Sequence, residues 1–217
     1  MFTGLISYIG KVKHLIHLST GLQLTIDFPP AFLEDVNIGD SIAVSGPCLT
    51  VTKIEGTAFT VSVSQETLQR STITRWKAGR NVNLEKSLRS TDRLGGHFVM
   101  GHIDGVAKVT KKQQSGEGSI FTFETIQEIA SMIAPKGSVS LDGISLTPAS
   151  KSDSNFTVAI IPHTLSHTTF YDLSVTDEVN IEIDIFARYM FEFLKQQNKK
   201  DISGSTLKID DLRSEGY

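Results

Sequence analysis

The sequence predicts an all-β protein of two tandem six-stranded Greek-key barrels, followed by a C-terminal α-helix. Three observations carry this reading. The chain repeats itself at a fixed offset of 97 residues: "FTVSVSQETLQRSTI" (Phe59 to Ile73) lies over "FTVAIIPHTLSHTTF" (Phe156 to Phe170) with six identical positions. Between turn residues, each copy consists of short alternating or β-branched apolar runs, as strands do. Only one segment has helical periodicity, and it lies outside the repeat.

The repeat extends without a gap. "GLISYIGKV" (Gly4 to Val12) matches "GHIDGVAKV" (Gly101 to Val109), "SIAVSGPCLT" (Ser41 to Thr50) matches "SVSLDGISLT" (Ser138 to Thr147), and "VNLE" (Val82 to Glu85) matches "VNIE" (Val179 to Glu182). A unit of this length is a whole domain rather than a solenoid repeat. The expected division is therefore residues 1–97 and 98–184 for the two barrels. In the first copy the strands are the long opening segment (Gly4 to about His17), "GLQLTIDF", "SIAVSG", "LTVTKI", "AFTVSVS" and "NVNLE". This count and its turn spacing suit a small Greek-key barrel. "PPAFLEDV", opened by proline, and "QETLQRST" read as single helical turns between strands.

After the second copy, "DIFARYMFEFLKQQNKK" places Ile185, Tyr189, Phe193 and Leu194 at helical spacing, with lysines at the end where the macrodipole favours them. The helix is expected over 185–200 and a flexible tail over 201–217. Such a helix either caps its own chain or forms an association surface. Its aromatic stripe favours association, because a closed barrel needs no cover.

Composition excludes several function classes. With 39% hydrophobic and 21% charged residues the chain is ordinary globular material. Its net charge of −3 supplies no basic field for nucleic acid or an anionic membrane. No cationic leader or membrane-spanning apolar run is present, so the expected location is cytoplasmic. A single cysteine, Cys48, rules out an intrachain disulfide and a thiolate-rich zinc site. "HTLSH" (His163 to His167) lacks the glutamate of a zinc-protease helix, so no metal is expected.

A duplicated barrel with duplicated loop motifs points to two sites for similar ligands. Thr50 with Thr147, Ser41 with Ser138 and Thr67 with Thr164 offer hydroxyls suited to a flat heterocycle with amide-like edges, although Ser and Thr also populate strands and turns without any role. The differences are as informative. Leu5 becomes His102, Ser45 becomes Asp142, Cys48 becomes Ser145, Gln65 becomes Pro162 and Glu66 becomes His163. Two pockets of common origin have acquired unlike linings, as two molecules of one compound playing unequal parts would require.

"MFTG" at the start, "CLTV", "ETL", "GGHFVMGHIDG", "DGISLT" and "VNIE", in this order and spacing, closely resemble riboflavin synthase from Met1 to about Phe193. The resemblance implies two similar barrels, a C-terminal helix that joins three chains, and no cofactor. It also implies the dismutation of two molecules of 6,7-dimethyl-8-ribityllumazine per active site. One gives a four-carbon unit to the other, yielding riboflavin and 5-amino-6-ribitylaminouracil across a site shared by neighbouring chains. Lumazine synthase is a further partner that the family suggests.

Carried over by motif, the N-terminal lumazine site comprises Cys48, Leu49, Thr50, Ser62, Val63, Ser64, Gln65, Glu66 and Thr67. The C-terminal one comprises Ser145, Leu146, Thr147, Ile160, Ile161, Pro162, His163, Thr164 and Leu165. Gly4, Leu5 and Ile6 and their counterparts His102, Ile103 and Asp104 line the pockets, and Lys136 reaches one from the side. For catalysis the candidates are Cys48 as a group that adds to or hydrogen-bonds the acceptor ring, His102 as proton relay, and Ser145, Ser41, Lys136 and Phe2 in support. His97 is expected to brace the junction between barrels. The chain departs from the family pattern at Pro47, Pro148 and His163, where cysteine, a β-branched residue and glutamate are common. Relatives of the same fold carry lumazine or flavin as a non-catalytic light-emitting chromophore; the retained His97, His102 and "MFTG" favour the enzyme. A flavin-dependent reductase is disfavoured because "SGEGSIF" lacks the third glycine of a nucleotide-binding turn.

Overall fold

A computed structural model describes residues 1–204. The first body contains β1 (Tyr8–Leu18), β2 (Gly21–Asp27), the short helix α1 (Pro30–Leu33), β3 (Ser41–Val44), β4 (Cys48–Glu55), β5 (Ala58–Ser64), helix α2 (Gln65–Arg70) and β6 (Asn81–Lys86). The strands close into an antiparallel barrel in the order β1-β2-β5-β4-β3-β6. Alternation decides which side chains fill it. Along β5, Phe59, Val61 and Val63 are buried while Ser62 and Ser64 face outward. Phe28, Phe32 and Phe59 pack ring against ring in this core, with centroids 5.3–6.2 Å apart. The Ser64 hydroxyl caps α2 by accepting the Thr67 amide at 3.2 Å.

The second body holds β7 (Gly105–Ser115), β8 (Gly118–Glu124), α3 (Gln127–Ser131), β9 (Val139–Leu141), β10 (Ile144–Leu146), β11 (Pro148–Ser152), β12 (Asn155–Ile160), α4 (Pro162–His167) and β13 (Glu178–Ile183). The second barrel contains seven strands, one more than expected, in the order β10-β9-β13-β7-β8-β12-β11. The single strand β4 of the first copy has become two, β10 and β11, at the sheet's opposite ends. The division falls next to Pro148. Its counterpart Val51 donates its amide to the Asp40 carbonyl at 2.9 Å, a bond that a proline cannot make.

The opening segment also differs from expectation. Instead of one strand from Gly4 to His17, β1 begins at Tyr8, and residues 1–7 run between the bodies, held to the first by Glu85 and Leu84 and touching the second through Gly4 and Ile6. Gly4 has φ +77°, a left-handed turn that breaks the strand, and Gly101 repeats it at +76°.

The two bodies meet about a local pseudo-twofold axis. Phe2 and Val99 exchange backbone hydrogen bonds there (2.7 and 3.1 Å). Asn83 and Asn180 reach across it in matched fashion: Asn83 Nδ2 donates to the Asp142 carbonyl, and Asn180 Nδ2 donates to the Ser45 carbonyl. Their Oδ1 atoms accept from the Thr169 and Thr72 amides, so both buried side chains are satisfied across the seam. Gly46 and Gly143 touch backbone to backbone at this point. A Cβ on Gly143 would sit 3.0 Å from the Gly46 nitrogen.

Helix α5 (Ile185–Gly204) runs past the expected end at Lys200, and 205–217 of the expected tail lie outside the described residues. One side rests on its own chain. Ala187 packs on the second core, Arg188 makes two hydrogen bonds to Asp104 (2.7 and 2.8 Å), and Phe186 meets Phe98 edge to face. The other side leaves Tyr189, Met190, Phe193 and Leu194 exposed. Among the described residues no helix is long and apolar enough to cross a membrane.

Candidate active site

Register builds the first polar face. Ser41 lies opposite Thr50, and Thr50 opposite Ser62, so three hydroxyls from β3, β4 and β5 stand in one row outside the barrel. Two residues along each strand, Cys48 and Ser64 share that face, and α2 continues it with Gln65, Glu66 and Thr67. The same alternation turns Leu49 and Val63 into the barrel core, where they are 3% and 2% exposed. Leu146 and Ile160 are likewise buried in the second body. These four expected binding residues therefore have no side chain available to a ligand; only their backbone can take part.

On the second body, Ser145 lies opposite Ser140, and the outward positions beyond it are Thr147, Ile161, Pro162 and His163. His163 stacks on His167, one turn along α4, with ring centroids 4.2 Å apart. Thr164 and Leu165 are half-buried on the same helix. Lys136 is exposed, with φ +66°, at the position where the first copy has Gly39. Both residues donate their amide to the following strand at 2.8 Å, Gly39 to Val51 and Lys136 to Pro148.

The tertiary structure exchanges the opening segments between the bodies. The Cys48 amide donates to the Gly101 carbonyl (3.0 Å), while the Ser145 amide donates to the Gly4 carbonyl (2.8 Å). Each contact is so close that a Cβ on the glycine would overlap the facing Cβ. Thus His102 joins Cys48, Leu5 joins Ser145, and each face is composite. Leu5 and His102 are exposed, and Ile6, Ile103 and Asp104 are half-buried. Ile103 touches Gly46, Ile6 packs on the second core, and Asp104 accepts the Ile183 amide.

Phe2 has no face open to a ligand. It is fully buried with Ala43 and Val99, and Cys48 packs against this cluster from the outside. Phe2 therefore packs behind the thiol and supports it from the inside.

Buried ionisable groups surround the exchange. Glu85 accepts from the Thr3 amide and hydroxyl (2.6 Å each) and from the Gly4 amide (3.0 Å). Glu182 accepts from the Met100 and Gly101 amides (2.7 and 2.9 Å). Burial pushes both carboxyls upward, Glu182 to about 7. Asp142 accepts the Asn180 amide at 2.8 Å and is likewise raised by burial to about 7. His97 is held with Nδ1 2.7 Å from the Ser145 hydroxyl, and burial lowers its pKa. Sequence reasoning set His97 at the junction but missed this contact, and it did not single out Glu85, Glu182 or the two asparagines. The signal was present in "VNLE" and "VNIE", where polar residues interrupt strands otherwise buried on both sides.

Among the described residues no cluster of three or more metal-ligating side chains occurs. A cleft of about 660 Å³ opens beside Ser41 and Leu5 and is walled by Glu85, Lys86, Arg89 and Arg93.

Similarity to known proteins follows the duplication. The lumazine binding domain matches twice, over residues 3–87 and 100–184. Riboflavin synthase of Photobacterium phosphoreum is 37% identical over 217 residues, spanning 100% of this chain and 99% of the relative. Riboflavin synthase of Bacillus subtilis (strain 168) is 37% identical over 92% of each chain, and that of Schizosaccharomyces pombe is 41% identical over 87% of this chain and 91% of its own. Among solved structures, LumP complexed with riboflavin superposes with a TM-score of 0.78 at 26% identity, covering 84% of this chain and 99% of LumP.

Proposed function

This chain belongs to the riboflavin synthase family, and on that premise we propose that it converts two molecules of 6,7-dimethyl-8-ribityllumazine into riboflavin and 5-amino-6-ribitylaminouracil. One observation carries the reading beyond family membership. The exchange of opening segments gives two related faces unlike chemistry: Cys48 with His102 on one, Ser145 with Leu5 and His97 on the other.

Both substrates are the same compound, and the products together contain the atoms of two lumazines, so no oxidant or other co-reactant enters. One lumazine must lose a proton from its acidic 7-methyl group, and the resulting carbanion attacks the ring of the other. Later steps return protons and release the four-carbon unit. Holding the two rings together replaces a bimolecular encounter by an effectively intramolecular one. His102, exposed beside Cys48, is the proton carrier; the Cys48 thiol adds to or hydrogen-bonds the ring that is attacked. The hydroxyl row Ser41, Thr50 and Ser62 holds the first ligand, with Ser64, Gln65, Glu66 and Thr67 at its ribityl end. Ser145, Thr147 and the α4 segment Pro162–Leu165 hold the second. His163 supplies one hydrogen-bonding ring nitrogen where glutamate is usual.

The two faces stand on the outside of their bodies, so the reacting pair is brought together between neighbouring chains. The exposed stripe Tyr189, Met190, Phe193 and Leu194 joins three chains.

The test is to incubate the purified protein with the lumazine alone. Riboflavin should appear at one mole per two of lumazine consumed, and calorimetry should find two ligand sites per chain. A yellow protein that binds lumazine and forms no riboflavin would instead be a chromophore carrier.

A further inference from the structure

The two exchanged segments are not held equally. Glu85 receives three hydrogen bonds because Thr3 contributes its hydroxyl as well as its amide. Glu182, its repeat counterpart, receives only two. Met100 stands in place of Thr3 and has no hydroxyl to give. Both glutamates are nearly inaccessible, at 5% and 2% exposure. The weaker staple is the one beneath Gly101, whose carbonyl accepts the Cys48 amide and whose neighbour is His102.

We propose that Glu182 is a positioning residue for the reaction: its ionised carboxylate holds Gly101 and His102 against Cys48, and proton uptake by Glu182 releases this segment and slows turnover. The proposal rests on the reading given above as riboflavin synthase.

The chemistry is that of acceptor count. An ionised carboxylate offers acceptors on both oxygens, one for each amide. Protonation removes the charge and turns one oxygen into a hydroxyl, a far poorer acceptor, so the bond to that oxygen weakens. The surroundings set where this happens. Burial raises Glu182 to about 7, and Asp104 on the same segment raises it further; Arg188 of α5 lowers it and is itself tied to Asp104. From the adjacent strands, β9 presents only Ser140 opposite Glu182, and β7 presents Gly105 opposite the preceding Ile181, neither of them charged. Around Glu85 the Thr3 hydroxyl opposes the same burial.

Met100→Thr transfers the stronger staple to the second site and alters neither His102 nor Cys48. The measurements are the pH dependence of kcat with lumazine as sole substrate, and hydrogen–deuterium exchange of the peptide covering residues 98–104 in the ligand-free protein. In Met100→Thr the acid limb of kcat should move to lower pH, and at about pH 6 the peptide should exchange about fivefold more slowly than in the parent. Glu182→Gln, with a single acceptor oxygen, should lower kcat with KM little changed, speed exchange of the same peptide and flatten the limb. An unmoved limb with unchanged exchange in Met100→Thr, or the parent's rate and profile in Glu182→Gln, overturns the proposal. If Met100→Thr does not fold, Thr3→Met makes the reverse change at Glu85 and should speed exchange of residues 1–7; no change there also counts against it. Absence of riboflavin from every variant at every pH would refute the enzymatic reading, while the exchange data would still decide whether Glu182 holds the segment.

Discussion

Single side chains carry the chemistry through contacts that their neighbours in sequence do not supply. Cys48 is half-buried against Phe2, Ala43 and Val99, with one side open on the polar face. If His102 is the proton carrier proposed above, its replacement by glutamine should lower kcat by about 100-fold, whereas Cys48→Ser, which keeps a hydrogen-bonding group, should cost about tenfold. Steady-state riboflavin formation checks both, and full rate in the two variants would refute the assignment. Asp142 offers a different test, because the first copy has solved the same problem with Ser45. Both sit at φ +45°, and each side chain accepts the amide of the facing asparagine, Asn180 or Asn83. The raised Asp142 pKa, about 7 against 3.8 in the unfolded chain, means that the native state keeps a proton that the unfolded state has lost. Its contribution therefore makes stability fall as pH rises from about 4 to about 7. Asp142→Ser should flatten this slope in denaturant titrations across that range, by a few kcal/mol at most.

Elements translate these residues into shape. The duplicated strands share register down to their irregularities: β4 shifts between Val51 and Lys53, and β11 shifts between Pro148 and Ser150. The strand divides next to Pro148, so the second sheet departs from the first at the point where an amide is missing. Among the described residues, helix α5 is the one element without a repeat partner. Its inner side is fixed by Ala187 and the Arg188–Asp104 pair, and its outer aromatic stripe is exposed. Phe193→Asp would place a charge in the middle of that stripe. If the stripe joins three chains as proposed, sedimentation should show a trimer for the parent and monomers for the variant, with the circular dichroism of the barrels unchanged; a trimeric variant would reject the helix as the joining surface.

At the scale of the whole molecule, the two bodies are locked by matched pairs: Asn83 with Asn180, Ser45 with Asp142, Gly46 with Gly143. The backbones touch at the last pair, and both glycines adopt left-handed φ (+105° and +81°). Gly143→Ala would add a Cβ about 3 Å from the Gly46 backbone as well as left-handed strain, and should cost roughly 2 kcal/mol, seen as a Tm lower by about 5 °C. An unchanged Tm would mean that the bodies separate easily. Because the opening segments cross this seam, its integrity also governs both faces, and the same variant should lose activity faster than it loses secondary structure.

The sequence by itself determined the repeat, most strand positions, the solitary helix and the outward hydroxyls, since each follows from period, spacing or turn chemistry read locally. It also placed Thr50, Ser62 and Cys48 on related faces, because alternation along a strand is a local rule. That rule equally sends the side chains of Leu49, Val63, Leu146 and Ile160 inward, which leaves only their backbone to meet a ligand. What only the tertiary structure decided is the pairing across the seam: Gly101 and His102 with Cys48, Gly4 with Ser145, and Glu85 and Glu182 as the acceptors that hold them. Those contacts join residues about fifty positions apart or more, and a repeat offset is blind to whether a segment docks on its own copy or on the other. Packing settled the matter, because a buried amide must find its acceptor wherever the fold brings one near.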